Sequence, residues 1–455
     1  MRRALALLGA LILTGAFGFA LLAWREEIAP LPATLAVGAP PDPARVAAGA
    51  RLALLGNCAG CHTTAGGAAL AGGLAMETPF GTIHSTNITP DPATGIGNWS
   101  FAAYDRAMRE GVDREGRHLY PAFPYEYFAR ISDTDMADLY AWNMAQPPVA
   151  AEPPPNDLTF PANFRFLLAG WKLLYHSDTR FEISPDKPQV WNDGAYIAAG
   201  LGHCGACHTP RNRFGGAIES EVDRGGEAND WWAPPLTAAN PAPHVWTEAA
   251  LLAYLRTGRS PAHGVAAGPM ATVVHDSLAH VPEADTAALA VHYADRMARE
   301  PSPRAAQASS YGPARAALAT DRPAMGTVVF ADGARLFAGN CASCHHGAGP
   351  TGGAAFPRLA DGSAVAGPDP RNLIQVMLWG IGPAAGSAQG YMPRFDGELT
   401  DRQIASIAAH LRGAGVDADM VARLRAGGPV AGSGAGPLSG FAAAVPMPAD
   451  PEDIP

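Results

Sequence analysis

All six cysteines of this chain fall in three copies of one short pattern, and no other feature limits its fold as tightly. The copies read Cys58-Ala59-Gly60-Cys61-His62, Cys204-Gly205-Ala206-Cys207-His208 and Cys341-Ala342-Ser343-Cys344-His345. No thiol is left over for a disulfide framework. Zinc knuckles would set paired Cys/His groups close together, whereas these motifs stand 146 and 137 residues apart. A thioredoxin-type pair does not account for a histidine after every second cysteine. The pattern fits covalent haem c. Two thiols on one helical turn add to the vinyl groups of a porphyrin edge, and the histidine turns under the iron as proximal ligand. The expectation is three covalently bound haems c on Cys58/Cys61, Cys204/Cys207 and Cys341/Cys344, with His62, His208 and His345 on the metal.

Length and charge narrow the rest. At about 100–200 residues per domain, 455 residues suggest two to four domains, and 48 % hydrophobic residues can bury a core. With 51 Gly and 42 Pro the chain is rich in loops. A net charge of −10 lacks the electrostatic footprint of a nucleic-acid binder. Between Arg3 and Arg25 no residue is charged, and such a helix spans about 31 Å, enough for a bilayer core. This run is longer than a leader's apolar core and Arg25, Glu26 and Glu27 follow it directly, so it reads as an uncleaved signal-anchor rather than a cleaved leader. Arg2 and Arg3 keep its N-terminus in the cytoplasm. The expected location is the cell inner membrane, with the haem units facing the periplasm.

The organisation expected is an anchor over residues 1–27, a first unit over 41–148 and a connector over 149–186. A second unit over 187–300, a linker over 301–322, a third unit over 323–413 and a flexible Gly/Ala/Pro tail over 414–455 complete it. Each unit opens on a helix bearing Gly-Ala (Gly49-Ala50, Gly194-Ala195, Gly333-Ala334), which allows close approach to an aromatic of the unit's last helix. Those last helices are expected over 133–144, 283–297 and 400–411. Residues 28–43 read as a Pro- and Ala-rich stalk, and the apolar segment 164–175 can dock on a partner, the membrane or the haem units. Trp99 and Trp246 precede helices and fit either core packing or a haem propionate.

A haem that only carries electrons has a sixth ligand, and a methionine there favours Fe(II). In class I cytochromes c that methionine lies in a loop before the last helix. Met392 and Met270 stand in that place in units three and two, while unit one has Phe123, which cannot ligate iron. The first iron is therefore either five-coordinate or bound by His118, Met144 or His84.

The chain resembles the tri-haem cytochrome c subunit of membrane-bound bacterial dehydrogenases over residues 45–412. The residues that carry the likeness include Thr78-Pro79-Phe80-Gly81-Thr82-Ile83, Ser85-Thr86-Asn87-Ile88-Thr89-Pro90-Asp91 and Gly200-Leu201-Gly202-His203-Cys204 with Thr209-Pro210-Arg211-Asn212. The resemblance implies a mainly α fold, with three tandem class I cytochrome c domains after an N-terminal transmembrane helix. It implies a separate catalytic dehydrogenase subunit as electron donor and the respiratory chain, commonly ubiquinone, as acceptor. Phe123 and Ala169-Gly170-Trp171-Lys172-Leu173-Leu174 resemble the branch with molybdenum and iron–sulfur partners, and quinoprotein or flavoprotein partners are the other branches. His84 departs from the family, where tyrosine is usual. A second reading is a haem enzyme, a peroxidase or small-gas reductase, working at an open first haem. A soluble diffusing carrier fits less well with an anchor.

Overall fold

The computed structural model describes residues 2–32, 42–298, 328–345, 359, 362–382 and 392–429. Helices dominate, joined by loops and short antiparallel hairpins. One helix pair recurs through the chain. Pro43–Leu55 packs on Asp133–Met144, Gln189–Ala199 on Glu283–Ala298, and Val328–Asn340 on Asp401–Arg412. Each crossing has a glycine at its closest point. A Cβ at Gly49, Gly194 or Gly333 would run into the carbonyl of Asp138, Ala288 or Ser406 respectively. The residue four positions further along the partner helix is Trp142 in the first pair and His292 or His410 in the others, so the expected aromatic is met once and replaced by histidine twice. Local signals set the helix starts. The Asp42 side chain accepts from Ala44 N with Pro43 in the first turn, Ser132 Oγ accepts from Asp135 N, and Thr400 with Gln403 forms a capping box.

The first two helix pairs share one core. Leu52, Leu54, Ile131, Leu139 and Trp142 cluster with Ile197, Leu201, Leu289 and Tyr293. Arg51 crosses the junction as a fork on Asp285, with Nε–Oδ2 at 2.7 Å and Nη2–Oδ1 at 2.5 Å. Ser277 Oγ donates to Leu54 O at 2.5 Å beside it. The Arg51 side chain is 39 % exposed and can recover water. Asp285→Ala is therefore expected to cost only about 1–2 kcal/mol, read as a lower thermal midpoint. An unchanged midpoint would show that this fork does not hold the units together.

The third helix pair has a core of its own, built on Leu336, Ile374, Leu378, Ile404, Ile407 and Leu411. It leans on the second through Asn372, whose amide accepts from Trp232 N at 2.8 Å and donates to Trp232 O at 2.7 Å. Its end corrects the expectation of a flexible tail. A helix over Ala418–Gly427, capped by Asp417, buries Val421 and Leu424 in this core, and Arg425 bonds Asp401 at 2.8 Å. The structured part therefore runs past Gly413. Residues 430–455 and the expected linker lie outside the described residues.

Helix Arg2–Ala23 contains an apolar stretch, Arg3–Ala23, of mean hydropathy 2.3 and no buried share, long enough to cross a membrane. Its C-terminal end meets the helix Leu168–Tyr175 and the turn Arg165–Leu167 before it, where the rings of Phe19 and Phe166 stand 6.2 Å apart. The chain then turns back along the first unit instead of standing free. Ile28 N donates to Arg114 O at 2.9 Å and Leu31 N to Asn98 O at 2.8 Å, so the expected stalk begins as a strap.

Candidate haem sites

Each Cys-x-x-Cys-His run forms a single helical turn. Residues Cys58–His62 follow Asn57 at φ +47°, and Gly205–His208 follows His203, also left-handed, and Cys204. The third run is helical over Ala342–His345. One turn puts residues i, i+3 and i+4 on one face, which presents two thiols and an imidazole together. His62 Nδ1 lies 2.6 Å from Thr86 O and His208 Nδ1 lies 2.7 Å from Pro234 O. A carbonyl only accepts, so Nδ1 carries the proton and the Nε2 lone pair is left for a metal. Burial lowers the pKa of both rings and keeps them neutral, as ligation requires.

Hairpins aim those carbonyls. β1 (Ala75–Thr78) pairs with β2 (Gly81–His84) just before Thr86, and Gly226–Ala228 pairs with Trp231–Ala233 just before Pro234. Asn229 and Asp230, both at positive φ, make the second turn. The corresponding stretch after His345 lies outside the described residues. Burial pushes the Cys58 and Cys204 thiols up to about 12 and the Cys341 thiol up to about 11. A thiol kept protonated by burial is a poor redox nucleophile, which argues against a thioredoxin-type pair. The first two motifs lie back to back: a Cβ at Gly56 would sit 3.4 Å from Leu201 Cδ2, and the rings of Phe128 and His203 are 5.9 Å apart.

In each unit a loop that starts the same way carries the residue expected as distal ligand. Helices Phe101–Glu110, Glu248–Thr257 and Arg371–Trp379 end at Gly111, Gly258 and Gly380, with φ of 61°, 69° and 71°. Twelve residues after each glycine stand Phe123, Met270 and Met392. Leu119 N donates to Gly111 O at 2.7 Å and Ala266 N to Gly258 O at 2.8 Å, so the first two loops share a path. In the third, Ile381 and Met392 exchange backbone hydrogen bonds of 2.9 Å. Phe123 and Met270 pack against the shared core and Met392 against the third.

A cytochrome c family model matches residues 46–143, and one described as cytochrome c oxidase, cbb3-type, subunit III matches residues 329–411. The fructose dehydrogenase cytochrome subunit of Gluconobacter japonicus is 36 % identical over 409 residues, covering 84 % of this chain and 83 % of that protein. The cytochrome c subunit of alcohol dehydrogenase (quinone) from Gluconacetobacter polyoxogenes is 33 % identical over 429 residues, 90 % of each. This chain belongs to the cytochrome c subunits of dehydrogenase complexes. A nicotinate dehydrogenase subunit of Pseudomonas putida is 47 % identical over 414 residues, 88 % of this chain, and the chain spans 33 % of that protein's length.

In this cytochrome subunit two arginines to which the sequence pattern assigns no role brace the segments that follow these loops. Arg109, 4 % exposed, donates to Ala129 O at 3.0 Å and Ile131 O at 2.8 Å, and Arg256 donates to Val281 O at 3.2 Å. The repeated Arg-x-Gly at Arg109–Gly111 and Arg256–Gly258 is the signal that could have found them. Of the alternatives for the first iron, Met144 packs on the shared core, and the His84 backbone N–H donates to Asn156 Oδ1 at 2.9 Å. His118 is turned to the base of the N-terminal helix, with Nε2 3.0 Å from Ala23 O and Nδ1 3.0 Å from Lys172 Nζ.

Burial, helped by Lys172, pushes the His118 ring down to about 4. Between that value and the ordinary value of about 6.5, only the unfolded chain holds this proton. Acidification through that window therefore destabilises the fold, by up to about 3 kcal/mol from this group. His118→Gln is expected to flatten the fall in urea midpoint between pH 6.5 and pH 4, and an equally steep fall would refute the assignment.

Proposed function

We propose that this cytochrome subunit carries three haems c in three tandem class I domains and passes electrons from a catalytic dehydrogenase subunit to ubiquinone in the inner membrane. Bound haem supplies a one-electron Fe(III)/Fe(II) couple. Cys58/Cys61, Cys204/Cys207 and Cys341/Cys344 would hold it, His62, His208 and His345 would be proximal ligands, and Met270 and Met392 distal ones. The carrying observation is the Nδ1-to-carbonyl contact of His62 and His208, which leaves Nε2 as the ligating nitrogen. The apolar helix after Arg2-Arg3 supports a periplasmic face for the haem domains. The N-heterocycle in the name of the Pseudomonas putida relative, with Phe123 here, supports a molybdenum and iron–sulfur partner over a quinoprotein or flavoprotein one.

A pyridine haemochrome assay with intact mass is expected to give three haems per mature chain, and two or fewer would overturn the assignment. Purification of the native complex is expected to bring a larger catalytic subunit with it, whose cofactor decides the branch.

A further inference from the structure

The hairpins that aim the first two proximal histidines are each held from outside by an asparagine, at the same offset. His62 Nδ1 meets Thr86 O and His208 Nδ1 meets Pro234 O. Two residues before each acceptor a backbone N–H donates to an asparagine Oδ1, His84 N to Asn156 at 2.9 Å and Trp232 N to Asn372 at 2.8 Å. We propose, on the reading that His62 and His208 ligate iron, that Asn156 and Asn372 are positioning residues. By fixing the carbonyl that each imidazole bonds, they set the donor strength of the ligand and so the potential of its haem.

The two asparagines come from different parts of the chain, yet they meet equivalent points. Asn156 lies in the connector, and Asp157 and Leu158 after it pair with Thr82 and Gly81 as a third strand on the first hairpin. Asn372 lies on helix Arg371–Trp379 of the third core. Its amide bonds both Trp232 N and Trp232 O, which does for the second hairpin what a third strand does for the first. Arg371 Nη1 reaches Glu227 Oε2 at 2.8 Å, and Glu227 is the residue opposite Trp232 in that hairpin. A Cβ at Gly367 would stand 2.8 Å from the Trp232 ring, so the third unit is seated directly on this turn.

The histidine end is clamped as well. Gly72 N donates to His62 O at 2.7 Å and Gly225 N to His208 O at 2.8 Å. The stretch that enters each hairpin thus holds the histidine backbone, and the stretch that leaves it holds the ring. A lone two-stranded hairpin is only marginally stable, so the outside bonds decide where its last carbonyl rests. A hydrogen bond from the far ring nitrogen makes an imidazole more basic and a stronger donor to the metal. A stronger donor favours Fe(III), so a carbonyl that drifts away raises the potential. The first haem is therefore set once the connector is seated, and the second once the third unit has docked.

Potentiometric titration with low-temperature EPR on the haem-loaded full chain tests this, with the haem count of each variant read first by mass. Asn372→Ala and Asn156→Ala are each expected to keep the parent's haem count and to raise the potential of one haem. The haem that moves is expected to differ between the two, and the double variant to move both. Asp285→Ala, which lies away from both hairpins, is expected to lower stability and leave every potential in place. Parent potentials in both variants, the same haem moved by both, or a downward shift would overturn the proposal. Loss of a haem in either variant would overturn it too, because the amide would then hold the fold and not the ligand. His208→Met is expected to remove one His-ligated low-spin signal. If every signal of the parent survives that change, the ligand reading itself falls instead.

Discussion

Met392→Ala is expected to lower the potential of the third haem by on the order of 0.1 V, inside the span of about 0.8 V that axial ligation covers. A thioether stabilises Fe(II), and alanine leaves that position to water or to nothing. Met270→Ala is expected to do the same at the second haem. The reciprocal change is more telling. Phe123 stands at the same offset of twelve residues from its glycine as Met270 and Met392 do from theirs. It has the same kind of packing, against the shared core and 5.3 Å from the Phe128 ring. Phe123→Met changes the volume little and is expected to raise the first haem's potential toward the other two. Potentiometric titration with low-temperature EPR reads all of these variants. Unchanged potentials and an intact Met-to-iron absorption band in both alanine variants would remove Met270 and Met392 from the iron. A Phe123→Met protein without a new His/Met signal would show that the first loop takes a different course above the haem.

What the sequence shows clearly is what is encoded within a few residues. Two cysteines and a histidine on one turn are legible because the motif is contiguous, and the last helix of the third unit because Thr400 and Gln403 cap its start. Contacts between distant segments leave no such period. Arg51 meets Asp285 across 234 residues, and nothing near either one announces the other. Arg109 reads as a surface cation, yet it is buried under backbone carbonyls. Helix Ala418–Gly427 sits in a stretch diluted by Gly, Ala and Pro, and only Val421 and Leu424, one turn apart, mark its buried face. His118 reads as a candidate ligand because it lies in the distal loop. The structure turns it toward the N-terminal helix and Lys172, both remote in sequence.

Gly194→Val is expected to prevent the second unit from maturing. At this crossing the side chain would meet Ala288 O and C and, at 2.8 Å, His292 Cβ. The nearest atoms are backbone of a helix that is itself packed on Glu248–Thr257, so relief requires the helices to separate. Overpacking of this kind costs about 1–3 kcal/mol even where side chains can give way, and here a carbonyl must move. Against a total stability of about 5–15 kcal/mol, the helix pair that carries the second motif opens, and its haem count falls. Expected products are chains with two haems in place of three, or proteolysis of the chain. Gly339→Ala is the control. Nothing lies within 4 Å of a Cβ at Gly339, which sits near the end of Val328–Asn340. There alanine is expected to be neutral or to add up to about 1 kcal/mol of helix stability. Haem staining and mass of the two purified variants decide the matter: a Gly194→Val chain with a full complement of haem and the midpoint of the parent would show that close approach at the repeated glycine is not what holds the unit.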